Sequence, residues 1–179
     1  YGQEEAERLC QALQETDPSV SVRLNVRKMQ SCMPASEVEA ARQHLDRLYS
    51  AVPWCPDAWY LPQRPAFTCD PLLHAGAYYV QEASSMFLAE VLRQHVDGKV
   101  AMLDLCAAPG GKTTALGEQL KNKGLLVANE ISISRAKILR ENVERWGISN
   151  ALVTNETPEN LAAAFPDFFD VILVDAPCS

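Results

Sequence analysis

The periodicity of hydrophobic positions changes near residue 99. From Lys99 onward, continuous apolar runs alternate with segments of helical period: 100-VAMLDL-105, 125-LLVANE-130, 151-ALVTN-155 and 171-VILVDA-176 read as strands, and 112–122, 134–146 and 158–165 as helices. Continuous apolar strands separated by helices predict a parallel sheet covered on both faces. Thr157 followed by Pro158 supplies a cap and first-turn pair for the last helix.

Before residue 99 the pattern is broken more often. Residues 4–15 read as a short helix with Ala6, Leu9, Cys10 and Leu13 on one face, and 20-VSVRLNV-26 alternates like a strand. Residues 35–49 form a second helix opened by Pro34, with Val38, Ala41, Leu45 and Leu48 at helical spacing. Five prolines between residues 52 and 72 predict a linker or wrapped loop. Residues 80–95 then read as an amphipathic helix burying Ala83, Met86, Phe87, Val91 and Leu92.

Composition narrows the class. With 47% hydrophobic residues in 179, the chain can bury one good core and a smaller second one. No apolar run reaches the roughly 20 residues of a membrane helix, and the N-terminus lacks a secretion pattern, so a cytoplasmic location is expected. The six cysteines (10, 32, 55, 69, 106 and 178) include no Cys-x-x-Cys pair, which argues against zinc or a disulfide scaffold. A formal charge of −7 counts against nucleic-acid binding by bulk attraction, so such binding must use a local patch.

The stretch 103-LDLCAAPGGKTTAL-116 carries the chemistry. Its end matches part of a phosphate loop, Gly-x-x-x-x-Gly-Lys-Ser/Thr, and 170-DVILVDA-176 imitates the strand that places an aspartate near magnesium in nucleotide hydrolases. However, Cys106 stands where the first glycine belongs, and Pro109 removes a backbone N–H from a loop that would need it. The other reading is a doubly wound sheet that binds a nucleoside at its strand ends. Gly110-Gly111 make the tight turn there, and Glu130 follows about 20 residues later, where an acid accepts hydrogen bonds from ribose hydroxyls. The helix after the glycines offers its positive end to a carboxylate, and S-adenosylmethionine has both a ribose and a carboxylate. A plain strand-to-helix turn, with Glu130 as a solvated strand end, is the bland alternative.

Together, 104-DLCAAPGGKTTAL-116 and 170-DVILVDAPCS-179 resemble the Nop/Sun family of RNA 5-methylcytosine methyltransferases, with 23-RLN-25 and 78-YYVQEASSM-86 extending the likeness over nearly the whole chain. It is most similar to the bacterial members that modify ribosomal RNA. The resemblance implies a Rossmann-like methyltransferase sheet, represented by its first strands, preceded by a small α+β region. Residues 1–75 are then an RNA-binding or accessory region, and 76–179 the N-terminal part of the catalytic domain. It implies that Cys106, Ala107, Ala108, Pro109, Gly110, Gly111 and Lys112 wrap the methionine part of S-adenosylmethionine, and that Glu130 holds the ribose. Asp175 lies beside cofactor and base, and the acidic position that holds adenine falls on Asn155 or Glu156.

The chemistry needs a thiol, because carbon 5 of cytosine becomes nucleophilic only after a thiolate adds to carbon 6. In the family, the cysteine matching Cys178 assists product release, and the covalent nucleophile lies in a Thr-Cys pair further downstream. Cys10, Cys32, Cys55, Cys69 and Cys106 lack that context, so a fragment that binds cofactor without completing turnover is expected. Tyr1 in place of an initiator Met, and an end just after a strand, fit a fragment. The last strand is then an edge, which invites dimerisation. RNA is the implied partner, with no DNA and no membrane. Arg23, Arg27, Lys28 and Arg64 beside Trp54 and Trp59 are the candidate contacts, although a solvated face and packing anchors are the stronger reading of those residues. A phosphate-loop hydrolase and a noncatalytic RNA-binding module are the alternatives.

Overall fold

The computed structural model describes residues 2–15, 19–97, 99–121 and 123–176. In chain order it comprises α1 (Gln3–Glu15), β1 (Val20–Leu24), α2 (Val26–Cys32), α3 (Ala35–Leu48), β2 (Ser50–Ala51), β3 (Ala58–Leu61), a 3-10 turn (Phe67–Cys69), α4 (Pro71–His74), β4 (Tyr78–Val80) and α5 (Ala83–His95). There follow β5 (Ala101–Asp104), α6 (Gly111–Leu120), β6 (Leu125–Asn129), α7 (Ile133–Trp146), β7 (Ala151–Thr154), α8 (Pro158–Ala164) and β8 (Val171–Leu173). Two four-stranded sheets result. The first is antiparallel in the order β2-β3-β1-β4, and the second is parallel in the order β7-β6-β5-β8.

The second sheet is the α/β sheet that the apolar runs predict. Met102, Leu126 and Ala128 face a core built with Leu92 of α5, Leu116 and Leu120 of α6, and Leu139, Val143 and Trp146 of α7. Leu103 and Val127 point the other way, against Leu161 of α8, Phe165 and Phe169. Helices therefore cover both faces, although Leu152, Ile172 and Val174 on the α8 face stay exposed. Numbered from β5, the strand order is 3-2-1-4, the doubly wound order, whose direction reverses between β5 and β8.

The first sheet departs from the sequence pattern in instructive ways. The proline-rich segment contains β3, an inner strand paired with both β1 and β2, and Trp59 on it is 1% exposed. Its prolines lie outside the strand: Pro53 and Pro56 precede it, and Pro62 and Pro65 follow, where no ladder N–H is needed. The strand predicted over 20–26 ends at Leu24 because the Asn25 side chain caps α2, accepting from the Lys28 N–H at 3.1 Å. The helix predicted from residue 80 starts at Ala83, since Tyr78–Val80 pairs with β1 and the Glu82 carboxylate caps α5. On α5, Phe87 and Val91 are exposed, and only Ala83, Met86 and Leu92 are buried. In α1, Leu9 and Leu13 are likewise exposed.

The segment 23–28 joins the two sheets. Asn25 donates to the carbonyls of Gly76 (3.1 Å) and Trp146 (2.8 Å), Lys28 to Arg145 O (2.6 Å) and Arg27 to Gly147 O (2.8 Å). Three side chains thus meet the carbonyl end of α7, where orphan acceptors and the negative end of the helix dipole favour donors and cations. Gly76 permits this approach: its φ is +71°, and a β-carbon there would stand 2.1 Å from Arg145 O. The basic residues proposed from sequence as RNA contacts are therefore largely committed to the fold. Arg23 and Trp59 are buried, Trp59 donates to Asp46 and Trp54 to Ala83 O, and Arg64 lies over Phe67.

Candidate functional site

Ligands of a doubly wound sheet sit outside the carboxyl ends of the strands where the order reverses. In this chain that place is occupied by a cavity of about 220 Å³, formed by the ends of β5 and β8, the loop after β5 and the β4–α5 junction. From the sequence-derived set it brings together Cys106, Ala107, Ala108, Pro109, Gly111, Lys112 and Asp175; Asp104, Tyr79, Val80, Gln81, Glu82 and Ser85 complete the wall.

The loop 105–110 is tied from behind. Ala107 N donates to Asn129 O (2.8 Å), Arg135 donates to Ala108 O (2.7 Å), and Asn142 donates to Pro109 O (2.6 Å). The Ala108–Pro109 peptide is cis. Gly110 has φ +115° and is backed against Leu139 and Asn142 of α7, so it shapes the turn from the side away from the cavity. Asn129 fastens three strand ends: its amide donates to Leu105 O and Glu156 O, and its oxygen accepts from the Thr154 hydroxyl and the Glu156 N–H. A backbone held this way is organised before a ligand arrives.

Charge at the cavity is mostly negative. Asp104, 1% exposed, accepts from the Thr113 hydroxyl at 2.7 Å, while Asp175 is half exposed and ion-paired with Lys112. Burial pushes the Asp104 carboxyl up to about 6; the Thr113 hydrogen bond opposes this, nearby Asp175 adds to it and Lys112 opposes it. Three carboxylates lining one cavity, Glu82, Asp104 and Asp175, against one lysine, Lys112, favour a ligand that brings positive charge.

The remaining residues are placed as follows. Glu130, 3% exposed at the end of β6, is outside the cavity lining, accepting from Ser132 N (3.0 Å) and paired with Arg135 at 3.3 Å. Asn155 uses its amide to donate to Glu130 O (2.6 Å) and Ile131 O (2.9 Å), whereas Glu156 lines a separate hollow with Thr154, Asn160 and Phe165. The Cys106 thiol is pushed up, first by burial and then by the carboxylates of Glu130, Asp104 and Asp175, against Arg135. That direction disfavours the thiolate, and with it a nucleophilic role. Cys178 lies outside the described residues.

Sequence reading assigned no site role to Tyr79, Gln81, Glu82, Asp104, Asn129, Arg135 or Asn142. Tyr79, Gln81 and Glu82 lie in 78-YYVQEASSM-86, and Asn142 is a polar residue on the buried stripe of α7 beside Leu139, Val143 and Trp146.

Two family models match the chain. Residues 89–179 match the family model described as 16S rRNA methyltransferase RsmB/F, and residues 1–83 the N-terminal domain of 16S rRNA methyltransferase RsmF. Ribosomal RNA small subunit methyltransferase F of Pectobacterium atrosepticum is 43% identical over 132 residues, 72% of this chain and 27% of that protein. The protein of the same name from Aliivibrio fischeri is 38% identical over 163 residues, 89% of this chain and 34% of its own. The chain therefore spans about a quarter to a third of these relatives. Among solved structures, a methyltransferase homolog from Pyrococcus horikoshii superposes with a TM-score of 0.76 at 29% identity, over 98% of this chain and 55% of that one.

The raised Asp104 carboxyl makes a stability prediction. A folded-state value of about 6 against 3.8 for the free side chain means that the fold prefers the protonated acid. The cost of ionising it is absent below the lower value and complete above the higher one, where it reaches about 3 kcal/mol at most. Asp104→Asn keeps an acceptor for Thr113 and removes that cost. Urea denaturation is expected to show the variant about 1–3 kcal/mol more stable than the parent at pH 8, with the gain shrinking towards zero near pH 4. A gain independent of pH contradicts the assignment.

Proposed function

Because the chain belongs to the RsmB/F family of 16S rRNA methyltransferases, we propose that it contributes the cofactor site of an enzyme that methylates carbon 5 of a cytosine in ribosomal RNA, with S-adenosylmethionine as methyl donor. The observation that carries this reading is the cavity at the reversal of the strand order, where the glycine loop meets two carboxylates, Asp104 and Asp175. S-adenosylmethionine is a cation at its sulfur and its amine, which suits that charge, and it supplies an electrophilic methyl group when bound.

The residues divide the work by chemistry. Cys106 through Lys112 form the loop along the methionine part, with Gly110 shaping the turn and Gly111 starting α6. Glu130 is the acceptor for the ribose hydroxyls, aimed by its bonds to Ser132 and Arg135. Of the two candidates for adenine, Glu156 is favoured, since the Asn155 amide is committed to Glu130 O and Ile131 O. Asp175, at the end of the strand beside β5, stands where cofactor and base meet, and Lys112 holds its carboxylate in place. The catalytic role of Cys178 belongs to this proposal on the strength of the Asp-Ala-Pro-Cys motif alone.

Ribosomal RNA, with no DNA and no membrane, is the partner in this reading. Among the described residues no helix is long and apolar enough to cross a membrane, and action in the cytoplasm is part of the same proposal. Residues 1–75 act as the accessory region on the RNA side, supported by the groove of Tyr49 and 61–65 beside Arg64. Self-association through β8 is supported by its pairing with β5 alone among the described residues, and by Ile172 and Val174, each more than half exposed. Sedimentation of this chain is expected to show dimers that grow with concentration; a monomer at all concentrations refutes that part.

Calorimetric titration separates the methyltransferase reading from a nucleotide hydrolase. The chain is expected to bind S-adenosylmethionine and not ATP with magnesium, and Glu130→Ala to weaken the former about tenfold or more. Preference for ATP overturns the proposal.

A further inference from the structure

The cavity is polar in two senses. Glu82, Asp104 and Asp175 line it together with Gly111 and Lys112 of the first turn of α6, to which Asp104 is bonded through Thr113 and Asp175 through Lys112. The first hydrogen bond at the start of that helix runs from Thr114 N to Gly110 O at 2.9 Å, so the N–H groups of Gly111, Lys112 and Thr113 precede it. Such a turn attracts an anion. A helix end alone identifies no site, and it is a side chain from the other sheet that defines this one.

Gln81 follows β4, and its backbone is pinned to β1: its N–H donates to Ser21 O (3.1 Å) and its carbonyl accepts from the Ser21 hydroxyl (2.5 Å). Its side-chain Oε1 accepts from Arg23 Nε at 3.2 Å. Arginine carries only donors, so the amide oxygen must face it and Nε2 must face the opposite way. There Nε2 packs against Gly111, itself a lining residue of the cavity: a methyl group on Gly111 would stand 3.4 Å from Nε2. Gln81 is 7% exposed, and Nε2 is a buried donor without a hydrogen-bond partner. Such a donor costs free energy until an acceptor meets it.

We propose that Gln81 binds the α-carboxylate of the cofactor's methionine end, so that the N-terminal sheet supplies one wall of the cofactor site. A carboxylate accepts from the amide and from the first turn of α6 together, while the neighbouring α-ammonium faces the aspartates. The zwitterionic amino-acid end of S-adenosylmethionine has this polarity, and the inference rests on the cofactor reading given above. Arg23 is the positioning residue: it fixes which amide atom faces the cavity, and Glu118 and Thr114 fix Arg23.

The test compares S-adenosylmethionine with its decarboxylated analogue, which keeps the sulfonium and the amine. Calorimetry on the full chain is expected to show at least tenfold tighter binding of the former. Gln81→Met, similar in length but without a donor, weakens S-adenosylmethionine about tenfold and leaves the analogue within about twofold. Loss of the preference in Gln81→Met with unchanged binding of the analogue supports the proposal. Unchanged affinity for S-adenosylmethionine, or an equal loss for both ligands, overturns it while leaving the cofactor reading intact. If the parent chain binds both ligands equally, Gln81 is excluded as a carboxylate partner whether or not the variant folds. A parent chain that binds neither ligand overturns both readings.

Discussion

Arg23 holds the molecule's two halves in register. A guanidinium 1% exposed is tolerated only when its donors are met, because removing an ion from water costs several kcal/mol. Nε donates to Gln81, Nη1 pairs with Glu118, Nη2 donates to Thr114 Oγ1 at 2.5 Å, and the group lies 4.8 Å from the Trp146 ring centre. Its partners belong to the β4–α5 junction, α6 and α7. One side chain on β1 thereby sets the distance between the antiparallel sheet and the helices of the parallel one. The cavity between them inherits fixed walls.

The site then follows from topology and charge. Reversal of strand order between β5 and β8 opens a crevice, and Cys106–Pro109 of the tied loop line it. Asp104 is kept there at an energetic cost, since burial disfavours its charge. A buried acid that destabilises the fold above pH 6 is understandable where its charge serves a ligand. The same logic covers the unpartnered amide of Gln81.

Strands β5–β8 are legible in the sequence because each is an apolar run between helical segments, with β5 and β6 buried on both faces of the parallel sheet, and Glu130 because spacing from the glycines places it at the next strand end. Strand β3 is hidden: five prolines surround and mask a strand of four residues. Arg23 looks like a surface charge, since its burial depends on Glu118 and Thr114, more than 90 residues away. Gln81 lies in 78-YYVQEASSM-86, but its role arises where the residue after β4 meets α6, a contact with no local pattern. By contrast, Asn155 is locally plausible for adenine, and the structure uses its amide to brace the turn after β6.

The central claim is that S-adenosylmethionine lies at the carboxyl ends of β5 and β8 with its positive end towards Asp104 and Asp175. A crystal structure of the chain soaked with the cofactor tests this most directly. The account predicts the methionine part in the cavity bounded by Tyr79, Gln81, Cys106–Pro109 and Lys112, and the ribose at Glu130. A cofactor bound elsewhere, or one whose amine faces away from both aspartates, contradicts it.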